Sequence, residues 1–427
     1  MSSTPSAGSP LAAWLEHLER LHPTAMDFGL ERIGAVRERL PLTPAFPLIT
    51  VGGTNGKGST CAFLESCLQC AGYRVGRYSS PHLLRYNERV RIGGCEVTDA
   101  ALVRVFEQVE AARQGVSLTY FEFGTLAAML MFIEADVDAA VLEVGLGGRL
   151  DAVNVFDADC AIVVSVGLDH MEYLGDTREA IGAEKAGIFR GGRPAIVADP
   201  DPPRSVLQRA GEIGADVFLA DRDFGALARE HDWTFWSMAG RRAGLPWPSL
   251  RGACQLGNAA AALMALERLH GRIPVDMGAI RRGLVEVQLP GRFQVLPGRP
   301  MTVLDVAHNP HAALRLRENL ESMPGGRTFA VFAMLRDKDI AGVVRTLGNA
   351  VDGWFLAPLP GPRGESAQGL QAALQAAAVT APAHQCADVH DALRQAREQA
   401  GPDDKIAVFG SFLTVAAILA CTADRSR

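Results

Sequence analysis

A chain of 427 residues, 48% hydrophobic and 21% charged, is long enough to need more than one hydrophobic core and too apolar to be disordered. Its formal net charge of −6 excludes a general grip on nucleic-acid backbones, which needs a basic face, so any anionic ligand must find local positive groups. Eight cysteines without a disulfide-like framework, an opening MSSTPSAGSP without a signal-peptide pattern and no apolar run near the ~18 residues of a membrane span predict a cytoplasmic protein with no membrane partner.

Short apolar, β-rich runs at 46–51, 73–78, 139–144, 161–166 and 194–197 alternate with helix-like stretches. That rhythm predicts a parallel, doubly wound sheet. A second series at 302–306, 329–334, 354–356 and 406–409 repeats it. Between the series lies VQLPGRFQVLPGRP, where Pro290, Pro297 and Pro300 among glycines suggest a connection. The expected organisation is a first domain over 1–287, a linker over 288–300 and a smaller domain over 301–427.

In chain order, the first chemistry-bearing segment is VGGTNGKGST, 51–60. It differs from the common G-x-x-x-x-G-K-[ST] phosphate loop, because only three residues separate Gly52 from Gly56 and Gly58 intrudes between Lys57 and Ser59. The segment still follows a strand and leads into a helical pattern, the setting in which backbone N–H groups surround a polyphosphate. Gly53, Thr54, Asn55, Gly56, Lys57, Gly58, Ser59 and Thr60 are therefore expected to bind ATP or GTP, with Lys57 on the β/γ oxygens and Ser59 or Thr60 reaching Mg²⁺. Cys67 and Cys70 spell C-x-x-C inside that helix, and they read as core residues rather than a redox or zinc pair.

Next, AAVLEVGLGGRLDAVN ends a strand in Glu143, at the carboxyl edge where ligands of parallel sheets bind. Its glycines do not complete a dinucleotide fingerprint, since position 150 is Leu150, and Glu143 fits better as a Mg²⁺ ligand. The following strand runs into VGLDHMEYLGDTREAIGAEKAGIFR. His170 just past it is either structural or turned to the same cavity as Glu143. Lys185 beside Glu184 is either an exposed ion pair or part of the site.

Taken together, GTNGKGS, SSPHLLRYNERVRI, TYFEFGTLAA, LEVGLGGRLDA, SVGLDH with EKAGIF, LPGRFQ and LDVAHNPHA strongly resemble the folylpolyglutamate synthases, most closely the bacterial form that is also dihydrofolate synthase, within the Mur ligase superfamily. The resemblance spans nearly the whole chain and implies two doubly wound α/β domains, an N-terminal P-loop ATPase-like one and a smaller C-terminal Rossmann-like one. It implies Ser59, Ser80, Glu143, His170 and Lys185 as metal ligands for two Mg²⁺, with Lys185 carried as a carbamate and Lys57, His170 and Lys185 as the catalytic group. It implies Asn258, Arg292, Asp305 and His308 as ATP contacts. Phe28, Leu30, Ser80, Pro81, His82, Thr119, Phe121, Asp151, Ala152 and Ser411 match substrate-binding positions. The implied reaction passes the γ-phosphoryl of ATP to a carboxylate of dihydropteroate or a reduced folate, and the amine of L-glutamate then attacks the acyl phosphate. A cleft that closes to exclude water, a monomeric state and no nucleic-acid partner are expected with it. Arg85, Arg89 and Arg91 are open between holding an anionic folate tail and being solvated charges. A cell-wall Mur ligase is the rival reading, disfavoured by TAMDFGLERI and TYFEFGT.

Overall fold

The computed structural model describes residues 5–6, 8–24 and 26–424; Ala25, inside TAMDFGLERI, lies outside them. The chain falls into two compact units, one of residues up to Ser249 together with Leu256–Val287, the other of Leu250–Gln255 with Gln288 onward.

The first unit contains β1 (Leu48–Gly52), β2 (Val75–Tyr78), β3 (Val90–Ile92), β4 (Cys95–Glu96), β5 (Ala139–Glu143), β6 (Cys160–Val163), β7 (Pro194–Val197) and β8 (Asp216–Leu219). They form one sheet in the order β4-β3-β2-β5-β1-β6-β7-β8. Every residue of β1, β5 and β6 is buried, which explains why their sequences are unbroken apolar runs instead of alternating ones. The helix Lys57–Cys70 packs on β5, β2 and β1, and Cys67 is buried within it. The antiparallel edge was not foreseen. A Gly93-Gly94 turn, both residues at positive φ, reverses the chain from β3 into β4. A separate three-stranded antiparallel sheet, β9 (Phe224–Ala228), β10 (Trp233–Ser237) and β11 (Gly240–Leu245), follows β8.

The second unit holds β12 (Gln294–Leu296), β13 (Met301–Leu304), β14 (Thr328–Phe332), β15 (Gly353–Leu356), β16 (Ala383–Gln385) and β17 (Lys405–Phe409) in the order β12-β13-β17-β14-β15-β16. All pair in parallel except β12, which runs antiparallel to β13 inside the stretch read as a connection. Phe332, Trp354 and Phe409 meet ring to ring in the core of this unit.

Candidate active site

Strand β1 lies between β5 and β6, with Val51 in register with Glu143 on one side and Gly52 with Val163 on the other. The chain therefore leaves β1 between the strand ends that carry Glu143 and the segment leading to His170. Gly53 and Gly56 both have positive φ, and space forbids a side chain as well: a Cβ on Gly56 would stand 2.7 Å from Asn258 Oδ1. The loop is tied to the exit of β6. Thr54 N donates to Ser165 O at 2.7 Å, Thr54 Oγ1 exchanges hydrogen bonds with the backbone of Gly167, and Asn55 N donates to Ser165 Oγ at 3.0 Å. Lys57 folds back over this loop, with Nζ donating to Gly53 O at 3.0 Å and Thr54 O at 3.3 Å. Thr60 Oγ1 donates to Gly56 O at 3.1 Å, so its hydroxyl is committed to the helix, while Ser59 beside it is buried.

Strands β2 and β5 are in register at Tyr78 and Leu142, and two residues on Ser80 N donates to Glu143 Oε2 at 3.3 Å. Glu143 is buried. His170 takes a left-handed conformation, φ 50° and ψ 40°, at the start of the short helix Met171–Leu174, and its N–H donates to Asp169 Oδ1 at 2.9 Å. Such a conformation in a non-glycine residue is a strained backbone of the kind that clusters at functional sites.

Lys185 settles one of the open alternatives. Its side chain is only 4% exposed, and Glu184 pairs with Arg149 at 2.8 Å instead. The exposed-ion-pair reading is thereby overturned. Burial, reinforced by the charge of Lys57, pushes the Lys185 amine down to about 7, while Asp169 and Asp151 pull the other way. Gly148 makes this placement sterically possible, because a Cβ there would stand 2.9 Å from the Lys185 Cα. Gly145 is constrained in the same way, since its Cβ would run into the Phe121 ring at 2.8 Å. Close packing thus explains Gly145 and Gly148 of LEVGLGG, while Gly147 takes a positive φ of 71°. Asp169 and Ser165 are the residues that sequence reasoning missed, although both sit in the already marked strand exit SVGLDH.

Around Phe121 the structure gathers several of the expected substrate positions. Its ring lies 5.5 Å from that of Tyr78. Thr119 N-caps the helix Tyr120–Glu134 through a reciprocal capping box with Glu122. Asp151 accepts from Leu146 N at 2.8 Å and Val153 N at 3.1 Å, and burial nevertheless raises its carboxyl to about 7. Ala152 follows, buried. Phe28 lies 5.6 Å from the ring of Tyr173, and Leu30 precedes the helix Glu31–Arg37. Pro81 joins Ser80 through a cis bond, and His82 Nδ1 accepts from Arg89 Nε at 2.8 Å. Arg89 also lies over the rings of Tyr86 and Tyr120. Arg91 is bound into an ion network with Glu65 and Arg77, and Arg85 is exposed and paired with Glu96. Of the three arginines, Arg91 is therefore occupied structurally.

In the second unit, Asp305 stands just past β13, where Oδ2 accepts from Phe293 N and Oδ1 from Ala307 N, each at 2.8 Å. Burial raises its carboxyl despite Arg292 nearby. The Arg292 guanidinium lies 4.9 Å over the Phe412 ring, and the His308 ring is 6.0 Å from the same phenyl. His308 Nδ1 donates to Val306 O at 2.8 Å. Ser411 Oγ accepts from Leu413 N at 3.2 Å at the start of the last helix. Phe412, the aromatic between Arg292 and His308, carried no sequence signal.

Among the described residues, no three His, Cys, Asp or Glu side chains gather closely enough to hold a metal by themselves, and no helix is long and apolar enough to cross a membrane.

Comparison with known proteins brings these observations together. Residues 51–266 match the Mur ligase middle domain and residues 291–412 the Mur ligase glutamate ligase domain. The chain is 47% identical over 418 residues to the dihydrofolate synthase/folylpolyglutamate synthase of Escherichia coli, covering 97% of this chain and 96% of the relative. Its identity to the protein of the same name from Haemophilus influenzae is 42% over 434 residues, covering 96% and 97%. Among solved structures, E. coli FolC in complex with DHPP and ADP matches with a TM-score of 0.95 at 46% identity, over 99% of this chain and 100% of that one. The bifunctional enzyme of Yersinia pestis complexed with AMPPNP and Mn ion matches at 0.92 and 49%, with the same coverage.

Proposed function

This chain belongs to the dihydrofolate synthase/folylpolyglutamate synthase family of the Mur ligases, and from that membership we propose that it uses ATP to join L-glutamate to dihydropteroate and to the γ-carboxylate of reduced folates. The observation that carries the proposal is Lys185, enclosed on the helix Arg178–Ala186 against Gly148, its amine brought down to about 7 by burial and then by the charge of Lys57. An ammonium there would repel a cation, whereas the neutral fraction of such an amine can take up CO₂, release a proton and become an oxygen ligand.

A free carboxylate is a poor acyl donor, so the γ-phosphoryl of ATP is first transferred to it. Lys57 and the loop N–H groups of 53–58 other than those of Thr54 and Asn55, which bond to Ser165, hold the polyphosphate in line with the acceptor. Lys57 need only swing its ammonium from Gly53 O and Thr54 O toward the phosphate. Ser59, Ser80, Glu143, His170 and carbamylated Lys185 would hold two Mg²⁺, which neutralise charge developing on the transferred group. Asn258, Arg292, Asp305 and His308 contact ATP. Asp305 does so chiefly by ordering the turn that carries Arg292, since both its oxygens accept backbone amides. Phe28, Leu30, Pro81, His82, Thr119, Phe121, Asp151 and Ala152 receive the pteroate, and Ser411 the incoming glutamate, whose amine displaces phosphate from the acyl carbon. We place the enzyme in the cytoplasm as a monomer.

Incubation with dihydropteroate, L-glutamate, ATP and Mg²⁺, followed by mass analysis, tests the proposal. Dihydrofolate is the expected product, formed only when all four are present. Glutamate-independent ATP hydrolysis with no new amide would reject it.

A further inference from the structure

Two walls of the proposed pteroate site are linked by a closed circuit of polar contacts. The loop 26–30 carries Phe28 and Leu30, and the segment 117–122 carries Thr119 and Phe121. Asp27 Oδ2 accepts from Arg32 Nη1 at 2.7 Å and faces His22 Nε2 at 3.0 Å. His22 Nδ1 lies 2.7 Å from Ser117 Oγ, which reaches Leu21 O at 3.1 Å. On the other side, Arg32 Nη2 donates to Asp27 O at 3.0 Å and to Glu122 Oε1 at 3.2 Å. Glu122 Oε2 accepts from Thr119 N at 2.7 Å, and Thr119 Oγ1 accepts from Glu122 N at 3.2 Å. The circuit leaves the segment 117–122 at Ser117, passes through His22, Asp27 and Arg32, and returns to the same segment at Glu122.

Besides this circuit, Leu30 packs against the apolar core of the unit, while the rest of the loop is more open. Met26 is 39% exposed, and Phe28 rests on Tyr173, itself 44% exposed. Exposed ion pairs alone contribute roughly 0–1 kcal/mol, but the Glu122 side chain is only 4% exposed, so its contact with Arg32 is not of that kind. The arrangement also bears a cost that a purely stabilising bridge would avoid: Arg32 Nε is buried and has no hydrogen-bond partner among the described residues.

We propose that Arg32 is a positioning residue for dihydropteroate, setting the spacing between the loop bearing Phe28 and Leu30 and the helix start bearing Thr119 and Phe121. The inference rests on the reading that this unit binds dihydropteroate. Arg32 does not touch the reacting atoms; it acts through Asp27 and Glu122. Its removal should therefore loosen one substrate and spare the others.

The test measures KM for dihydropteroate, ATP and L-glutamate in the wild type, Arg32→Met, Asp27→Asn and the double variant. The expected result is a KM for dihydropteroate raised by roughly tenfold or more in each single variant, as misplaced substrate contacts cost that much, with KM for ATP and glutamate within about twofold. The double variant should be no worse than the worse single one, because both cut the same linkage. Should Arg32→Met fail to fold, Asp27→Asn, which keeps the side-chain shape, decides alone. An unchanged KM for dihydropteroate, or a loss confined to thermal stability or spread evenly over all three substrates, overturns the inference. A wild type that converts no dihydropteroate overturns the functional reading and the inference with it.

Discussion

Two lysines are buried to nearly the same extent, one in each unit, and they are held in opposite ways. Lys405 opens β17 at 5% exposure, and its Nζ donates to Leu320 O at 3.1 Å and Met323 O at 3.2 Å, the carbonyls at the end of the helix Pro310–Ser322. A helix C-terminus is where orphan carbonyls and the macrodipole welcome a cation. Lys185, at 4% exposure, has no such acceptor among the described residues; burial first, and the charge of Lys57 second, bring its amine down to about 7. A buried lysine with two carbonyls is an element of architecture, whereas one buried beside another cation is the kind of group that marks a candidate functional site.

The sharpest way to break this comparison is to remove each amine in turn. Lys185→Ala should lower ligase activity on the order of 10³-fold, the upper range for a single electrostatic contributor, with the melting temperature unchanged or higher. Small carboxylates added to the assay should restore part of the activity. Full activity in that variant would place Lys185 with Lys405 as a structural residue. Lys405→Met should do the reverse, costing about 2–4 kcal/mol in denaturant unfolding because two buried carbonyls lose a charged donor, while kcat at a permissive temperature stays the same. A stable Lys405→Met protein would mean that water serves those carbonyls equally well.

A smaller effect is expected one step out from Lys185. Glu143→Gln and His170→Ala should raise the Mg²⁺ concentration for half-maximal activity by roughly 10- to 100-fold, with circular dichroism unaltered. Both side chains lie at strand exits and not in the apolar core, so the fold has no need of them. An identical Mg²⁺ requirement in both would remove them from the metal site.

The smallest effect is a slope with pH. With a folded value of about 7 against 10.5 for a free lysine, the unfolded chain binds a proton that the folded chain has released anywhere between those limits. Stability should consequently rise with pH through that window, by at most about 1.4 kcal/mol per unit, and the burial penalty should be full and constant below it. Chemical unfolding of the wild type in CO₂-free buffer, referenced to Lys185→Met, reads this slope. Bicarbonate should flatten it by converting the amine to a carbamate. A flat wild-type profile without CO₂ would mean that the Lys185 amine keeps its ordinary value.

Much of this protein can be read in its residues because local chemistry leaves little freedom. Unbroken apolar runs such as 139–144 can satisfy their backbone and bury both faces only inside a parallel sheet, and β5 lies where that reasoning puts it. The glycines of VGGTNGKGST require a turn at positive φ ahead of a helix, and Gly56 adopts it with φ 86°. Glu143 at a strand end, Lys57 at a helix start and the C-x-x-C within a helix follow from the same kind of local rule. Burial of single charged groups, by contrast, depends on segments far apart in the chain. Lys185 beside Glu184 has the pattern of a solvated pair; only the passage of Gly148 across its helix and the capture of Glu184 by Arg149 reveal that the amine is enclosed. The antiparallel additions β9–β11 and β12 escaped notice because short, half-exposed strands lack the apolar continuity that marked the others. The circuit from Ser117 through Arg32 to Glu122 lay equally out of sight, since its partners stand about 90 residues apart and each, taken alone, is an ordinary polar side chain. Sequence periodicity determined which segments are strands, helices and phosphate loop, because those follow from nearest-neighbour geometry. Which charges are paired, desolvated or left short of a partner was decided by tertiary packing, because the dielectric around a side chain is set by whatever the rest of the chain brings against it.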